Sequence, residues 1–179
     1  MVTIRRFRVG DLPRVLRIER ASFGPDAYSA STFMAHLFRD RKGLSVAEDE
    51  NGQIVGYILV RVGLGWIGVK RGGITSVAVE PAHRRKGTGR ALLARGLEYL
   101  REHKVEEADL EVGVANRAAQ SLYESFGFRR SRLLPDYYGE NRDGLKMILD
   151  MREARVPDPG GNGGEPQPQP ADAEQGHDA

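Results

Sequence analysis

The segment Val77-Ala78-Val79-Glu80-Pro81-Ala82-His83-Arg84-Arg85-Lys86-Gly87-Thr88-Gly89-Arg90 narrows the folds open to this chain more than any other. A β-branched run ended by Glu80-Pro81 reads as a strand that stops where proline removes a donor. Three consecutive cations follow, then two glycines. From Gly87 to His103 apolar residues recur at Leu92, Leu93, Leu97 and Leu100 with Gly96 among them, the stripe of an amphipathic helix. At a helix start the backbone N–H groups and the positive end of the dipole favour an anion, and glycine lets a phosphate approach the backbone. The segment is neither the G-x-x-x-x-G-K-[ST] loop nor G-x-G-x-x-G. A run of cations alone reads equally as a solvated turn; strand, basic turn, glycines and helix together read as an anion site.

Around it the hydrophobic period changes repeatedly. Val2 to Phe7 reads as a strand, followed by a helix with Asp11 as cap, Pro13 in the first turn, and Leu12, Val15, Leu16 and Ile18 on its apolar side. Ser31 to Phe38 is a shorter helix. Leu44 to Glu48 and Gln53 to Val62 flank Asn51-Gly52, a tight hairpin signal. Gly63 to Gly73 reads as a glycine-rich connection before the strand Ile74 to Val79. Leu110 to Val114 is a strand, Arg117 to Phe126 a helix capped by Asn116, and Phe128 to Leu133 and Leu145 to Met151 are closing strands. The order β α α β β β α β α β β predicts a mixed α/β fold with a mostly antiparallel sheet and one parallel crossover.

The chain of 179 residues suits one domain. With 40% hydrophobic and 29% charged residues, collagen, coiled coil and wholly disordered chain are excluded. No stretch has the apolar length of a membrane span, and the first residues lack a signal-peptide core, so a cytoplasmic protein is expected. The absence of cysteine excludes disulfides, thiolate metal sites and a cysteine nucleophile. No H-E-x-x-H or G-x-S-x-G motif occurs, so neither a metal nor a serine nucleophile is expected. His83, just before the basic turn, is expected to be exposed. The stretch 157–179 holds five acids, no Lys or Arg and no large apolar residue; it is expected to be a disordered tail to a domain spanning 1–156. The net charge of +2 then leaves about +7 on the body, which favours an anionic ligand, an acidic substrate or nucleic acid.

Arg84-x-x-Gly87-x-Gly89 after the Val-Ala-Val strand resembles the acetyl-CoA signature of the GCN5-related N-acetyltransferases. Asn116-Arg117-Ala118-Ala119-Gln120-Ser121-Leu122-Tyr123-Glu124-Ser125-Phe126-Gly127-Phe128 is similar to the second half of that signature. The resemblance runs from Thr3 to Met151. Leu110-Glu111-Val112, Leu122-Tyr123-Glu124 and the segment from Tyr137 to Met147 most resemble the bacterial ribosomal-protein-alanine and other N-terminal acetyltransferases. That segment keeps Tyr137, Tyr138, Asp143 and Met147 at the family's spacing, but carries Glu140-Asn141, Arg142 and Gly144 between them.

The resemblance implies a GNAT fold of six to seven mostly antiparallel strands flanked by about four helices. It implies acetyl-CoA as co-substrate, bound by Val77, Val79, Arg84, Arg85, Lys86, Gly87, Thr88, Gly89, Arg90, Asn116 and Tyr123. It gives Glu111 the role of general base, for which partial burial between Leu110 and Val112 would raise the pKa. Tyr123 becomes the proton donor to the leaving thiolate, and Tyr137 and Tyr138 the acceptor site. Read without it, Glu111 is a solvent-facing strand residue, Tyr123 a half-buried packing residue and Asn116 a helix cap.

The expected reaction is direct transfer of acetyl to the α-amine of a protein or peptide, a ribosomal protein among the candidates. Protein lysine, a polyamine or another small amine is the alternative acceptor. An acyl-CoA sensor without turnover is disfavoured by Glu111 and Tyr123, and nucleic-acid binding by the lack of an interleaved aromatic pattern. A monomer or weak dimer without membrane contact is expected.

Overall fold

The structure, a computed structural model, describes residues 2–24, 27–39, 43–64 and 69–155. The expected tail, 157–179, and part of the glycine-rich connection, 65–68, lie outside them. The described residues form strands β1 (Thr3–Arg6), β2 (Leu44–Glu48), β3 (Ile54–Leu64), β4 (Lys70–Val79), β5 (Glu107–Gly113), β6 (Arg129–Leu134) and β7 (Gly144–Asp150). Helices α1 (Leu12–Phe23) and α2 (Ala30–Arg39) follow β1, α3 (Thr88–Glu102) joins β4 to β5, and α4 (Arg117–Ser125) follows β5. The sheet order is β1-β2-β3-β4-β5-β7-β6, antiparallel throughout except between β4 and β5. Element order and the single crossover agree with the expectation. Among the described residues no helix is long and apolar enough to cross a membrane.

Two clusters cover the two faces of the sheet. On one, Val15, Ile18 and Phe23 of α1 and Phe33 of α2 pack on Val46, Tyr57, Leu59 and Ala78. On the other, Leu92, Leu93 and Leu97 of α3 and Ala119, Leu122 and Tyr123 of α4 pack on Ile58, Val77, Val79, Leu110, Val112 and Met147. Each large aliphatic or phenylalanine side chain among them removed from water contributes about 1.5–3 kcal/mol. The helices that follow β4 and β5 therefore share one face, and α1 and α2 hold the other beside β2 to β4.

Three local expectations are corrected. The connection Gly63 to Gly73 is largely strand: β3 continues to Leu64 and β4 begins at Lys70, paired across as Leu64 with Lys70. Asp11 is the N-cap residue of α1 as expected, but its side chain makes no capping bond; its carboxylate accepts from the Arg8 N–H at 2.7 Å and from Arg5 Nη1 at 2.8 Å, closing a 3-10 turn at Val9–Asp11. His83 is half-buried rather than exposed, its ring 3.4 Å from Glu80 Oε2 and 3.7 Å from Asp49 Oδ2. The hairpin reading is met. Gly52 takes φ +73°, and Asp49 Oδ1 accepts from the N–H groups of Asn51 and Gln53.

Candidate active site

β4 and β5 pair only from Arg71 with Glu107 to Gly73 with Asp109. Beyond that, β4 stays bonded to β3 as far as Val79 and β5 to β7 as far as Gly113, so the sheet parts into two halves between Ile74–Val79 and Leu110–Gly113. At the root of the opening the chain is closely packed. A Cβ at Gly73 would stand 2.4 Å from Asp109 Oδ1, and one at Gly72 would stand 2.6 Å from Leu100 Cδ2, so glycine alone allows this close approach. Val77 and Val79 send their side chains into the α3 cluster, leaving their backbone as what this strand offers a ligand.

The basic turn crosses the end of β4. A short 3-10 turn at Pro81–His83 leads to Arg85 at φ +64° and Gly87 at φ +81°, the latter preceding the first residue of α3. Both residues take left-handed backbone in the turn that joins β4 to α3. Arg84 Nε donates to Val79 O at 3.0 Å and Lys86 Nζ to Ala82 O at 3.1 Å, tying the turn to the strand it follows. Thr88 is fully buried with Oγ1 3.5 Å from His83 O, and Gly89 is buried beside it. Arg90 is only 6% exposed; its guanidinium lies 5.8 Å from the Phe126 ring centroid, and its buried Nε has no hydrogen-bond partner among the described residues. Left-handed residues, helix start and this charge fit a pyrophosphate or an amide carbonyl of an elongated ligand.

Glu111 stands on the opposite face from α3 and α4. Along β5 the residues Ala108, Leu110 and Val112 are buried, while Glu107, Asp109, Glu111 and Gly113 alternate onto the other side. Lys146, directly across on β7, places Nζ 2.8 Å from Asp109 Oδ2 and 3.6 Å from Glu111 Oε1. Asp109 also pairs with Arg61 of β3. Burial, then the charge of Asp109, raises the Glu111 carboxyl above its ordinary value; Lys146 and Arg61 oppose the rise.

Tyr123 lies on the other side of the sheet. It is fully buried in the α3 and α4 cluster, with the Phe128 ring edge-on at 5.8 Å. Its helix is capped at its start and tied by Gln120 to the end of β5. Asn116 Oδ1 accepts from the Ala119 N–H at 3.1 Å as the expected cap, and Gln120 Nε2 donates to Gly113 O at 3.0 Å and Val114 O at 2.9 Å. The strand carrying Glu111 and the helix carrying Tyr123 are thereby one rigid piece.

Tyr137 and Tyr138 sit in the loop between β6 and β7, rings edge-to-face at 4.9 Å. The loop is closed on itself. Asp136 accepts from the Asn141 N–H at 2.7 Å, Asp143 accepts from the Asp136 N–H at 2.9 Å, and the Tyr138 N–H reaches Arg142 O at 3.0 Å. A Cβ at Gly113 would stand 3.9 Å from Tyr138 Cε2, which puts the Tyr138 ring over β5 two residues beyond Glu111 and on its side. The structure so brings Glu111 and Tyr138 to one face of the parting and Tyr123, Asn116 and Arg90 to the other.

Sequence reasoning missed Asp109, Lys146, Arg61 and Gln120. Gln120 lay inside a quoted motif, where its spacing of one turn before Tyr123 was the available signal. The three charges meet only through strand register.

Residues 12–128 match the model of the acetyltransferase (GNAT) family. The N-alpha-acetyltransferase of Sulfurisphaera tokodaii is 34% identical over 156 residues, covering 83% of this chain and 92% of its own. The ribosomal-protein-S18-alanine N-acetyltransferase from Escherichia coli superposes with a TM-score of 0.71 at 28% identity, covering 84% of this chain and 94% of its own. Arabidopsis thaliana Naa50, solved in complex with the bisubstrate analogue CoA-Ac-MVNAL, superposes with a TM-score of 0.71 at 25% identity, covering 83% of this chain and 98% of its own.

Proposed function

This chain belongs to the acetyltransferase (GNAT) family, and we propose that it transfers acetyl from acetyl-CoA to the N-terminal α-amine of a protein or peptide, with Glu111 and Tyr123 moving the protons. The observation that carries this reading is the parting of β4 from β5, with the Glu111 carboxyl on one face of the sheet and Tyr123 on the other. Acetyl-CoA supplies the acetyl group as a thioester. The turn from Arg84 to Arg90 receives its pyrophosphate, and the backbone of Val77 and Val79 with Asn116 lines the arm that passes between the strands.

An α-amine has a pKa near 7.7–8.0 and arrives largely as ammonium at neutral pH. Glu111 takes its proton, directly or through one water; a carboxyl raised by burial is a better base for that step than an ordinary one. The freed nitrogen bonds to the carbonyl carbon as the bond from that carbon to sulfur breaks. Tyr123 gives a proton to the departing sulfur, and the second proton that the nitrogen sheds on becoming an amide passes to solvent, from which Tyr123 regains its own while Glu111 releases the first. Tyr137 and Tyr138 wall the slot from which the amine enters, and a tyrosine hydroxyl there suits a peptide carbonyl. A cysteine relay is unavailable to this sequence, which agrees with direct transfer in a ternary complex.

The likeness to the Escherichia coli enzyme makes a ribosomal-protein N-terminus beginning with alanine a first acceptor to try. The test incubates the protein with acetyl-CoA and peptides whose α-amine is free or blocked, each with an internal lysine, and locates the added acetyl by mass spectrometry. Acetyl on free α-amines alone is expected. Acetyl on the lysine of blocked peptides would replace this reading with a lysine acetyltransferase.

A further inference from the structure

Glu19 is a buried acid that the proposed chemistry does not use. It falls on the apolar side of α1 with Val15, Ile18 and Phe23, and no cation stands beside it among the described residues. Burial raises its carboxyl to about 7, so the fold keeps an acid where an apolar side chain would pack without that cost. What the acid offers is a pair of acceptor oxygens. Oε1 accepts from the Tyr28 N–H at 2.8 Å and Oε2 from the Tyr57 hydroxyl, which itself lies 2.8 Å from Ser76 Oγ. Hydrogen bonds in series thus tether the chain that enters α2 to β4.

The tether ends at the opening. β4 and β5 run parallel and last pair as Gly73 with Asp109. A bulge against β3 then sets Thr75 out of register, since Leu59 faces Ser76 and Val60 faces Ile74. Ser76 therefore stands two strand steps beyond Gly73, as Glu111 stands two beyond Asp109, and they are level across the parting. They also share a face of the sheet. Tyr57, which reaches Ser76, belongs to the cluster under α1 and α2, and Glu111 stands on the side away from α3 and α4. On that face the chain at Tyr28 is held on the β4 side of the opening, and the Tyr138 ring over Gly113 on the β5 side.

We propose that Glu19 is a positioning residue for the acceptor, fixing the chain that enters α2 as the wall of the slot on the side opposite Tyr138. The proposal rests on the reading that the acceptor is a peptide N-terminus deprotonated at Glu111. Glu19 is fully buried and acts through Tyr28 and Tyr57, not on the reacting atoms. β4 is held independently by its ladder to β3 as far as Val79, so the element that the tether places is the chain at Tyr28. Loosening it widens the acceptor slot and leaves the acetyl-CoA turn as it is.

The experiment measures kcat and the KM for acetyl-CoA and for a peptide with a free N-terminal alanine. It compares the wild type with Glu19→Gln, Glu19→Leu and Tyr57→Phe, with melting temperature as a check on folding. Glu19→Gln keeps an oxygen for the Tyr28 N–H and an amide that bonds the Tyr57 oxygen, and is expected to hold the peptide KM within about twofold. Glu19→Leu fills the space and supplies neither; its peptide KM is expected to rise at least about tenfold while that for acetyl-CoA stays within about twofold. Tyr57→Phe keeps the ring against Phe33 at 5.5 Å and cuts only the link to Ser76. A rise of about threefold or more in its peptide KM alone is expected, and this variant carries the test if Glu19→Leu does not fold. A peptide KM unmoved in the folded Leu and Phe variants, both KM values moving alike, or a rise in Glu19→Gln equal to that in Glu19→Leu overturns the positioning proposal and leaves the acetyltransferase reading standing. Turnover of no free α-amine overturns both.

Discussion

Lys146 Nζ lies 3.6 Å from Oε1 of Glu111, and at 2.8 Å from Oδ2 of Asp109 the same ammonium serves two carboxylates on one face of β5. The proton affinity of the proposed base is thus set by opposing neighbours. Burial and Asp109 raise it, and Lys146 and Arg61 lower it.

Lys146→Met removes a cation that favours the charged form of Glu111, so the carboxyl rises further above its ordinary value. The acidic limb of kcat/KM against pH is expected to move to higher pH, and Asp109→Asn to move it the opposite way. Profiles that coincide with the wild type in both variants would remove this network from the chemistry.

The turn before α3 offers a second handle. Gly87 has φ +81°, and Gly87→Glu adds both a strained side chain and a negative charge where a pyrophosphate is expected. Affinity for acetyl-CoA is expected to fall at least about tenfold, or 1.4 kcal/mol, by calorimetry on protein shown to be folded. Unchanged affinity would move the cofactor site elsewhere.

Tyr138→Phe keeps the ring that packs over Gly113 and against Tyr137 but removes the hydroxyl. The KM for peptide should rise by about threefold to tenfold, the worth of one hydrogen bond, while that for acetyl-CoA stays constant. Equal changes in both constants would point to a loop that only packs.

Glu19 titrates away from the site. It is fully buried in α1, accepts from the Tyr28 N–H at 2.8 Å and from the Tyr57 hydroxyl, and burial raises it from 4.5 to about 7. A carboxyl raised in the folded state binds its proton more tightly there than in the unfolded chain. Its contribution is therefore complete below about pH 4.5 and lost as the pH climbs through about 7, a change of about 3 kcal/mol at most. Glu19→Gln should flatten the decline of melting temperature over that window. A decline as steep in the variant as in the wild type would assign it to other groups.

Much of this architecture was readable from local chemistry. Asn51-Gly52 marked the hairpin, Asn116 the start of α4, and the helical spacing of Leu92, Leu93, Leu97 and Leu100 the crossover. What escaped depends on tertiary approach. Gly72 and Gly73 suggest a loop, yet they sit inside β4 because Leu100 and Asp109 come too near for any Cβ. Glu19 falls on the buried stripe of α1, where an acid gives no sign that Tyr57 and Tyr28 await it. Along β5 the acids at 107, 109 and 111 alternate as on any solvated strand face. Only the register of Lys146 against Glu111 brings a cation to those acids.

The account turns on proton transfer across the parted strands, and the most direct measurement is kcat alongside acetyl-CoA affinity in Glu111→Gln and Tyr123→Phe. Both substitutions keep shape and remove only the exchangeable function. Each is predicted to lower kcat by about 10² to 10⁴ with the affinity for acetyl-CoA nearly unchanged. Full kcat in both variants would contradict it.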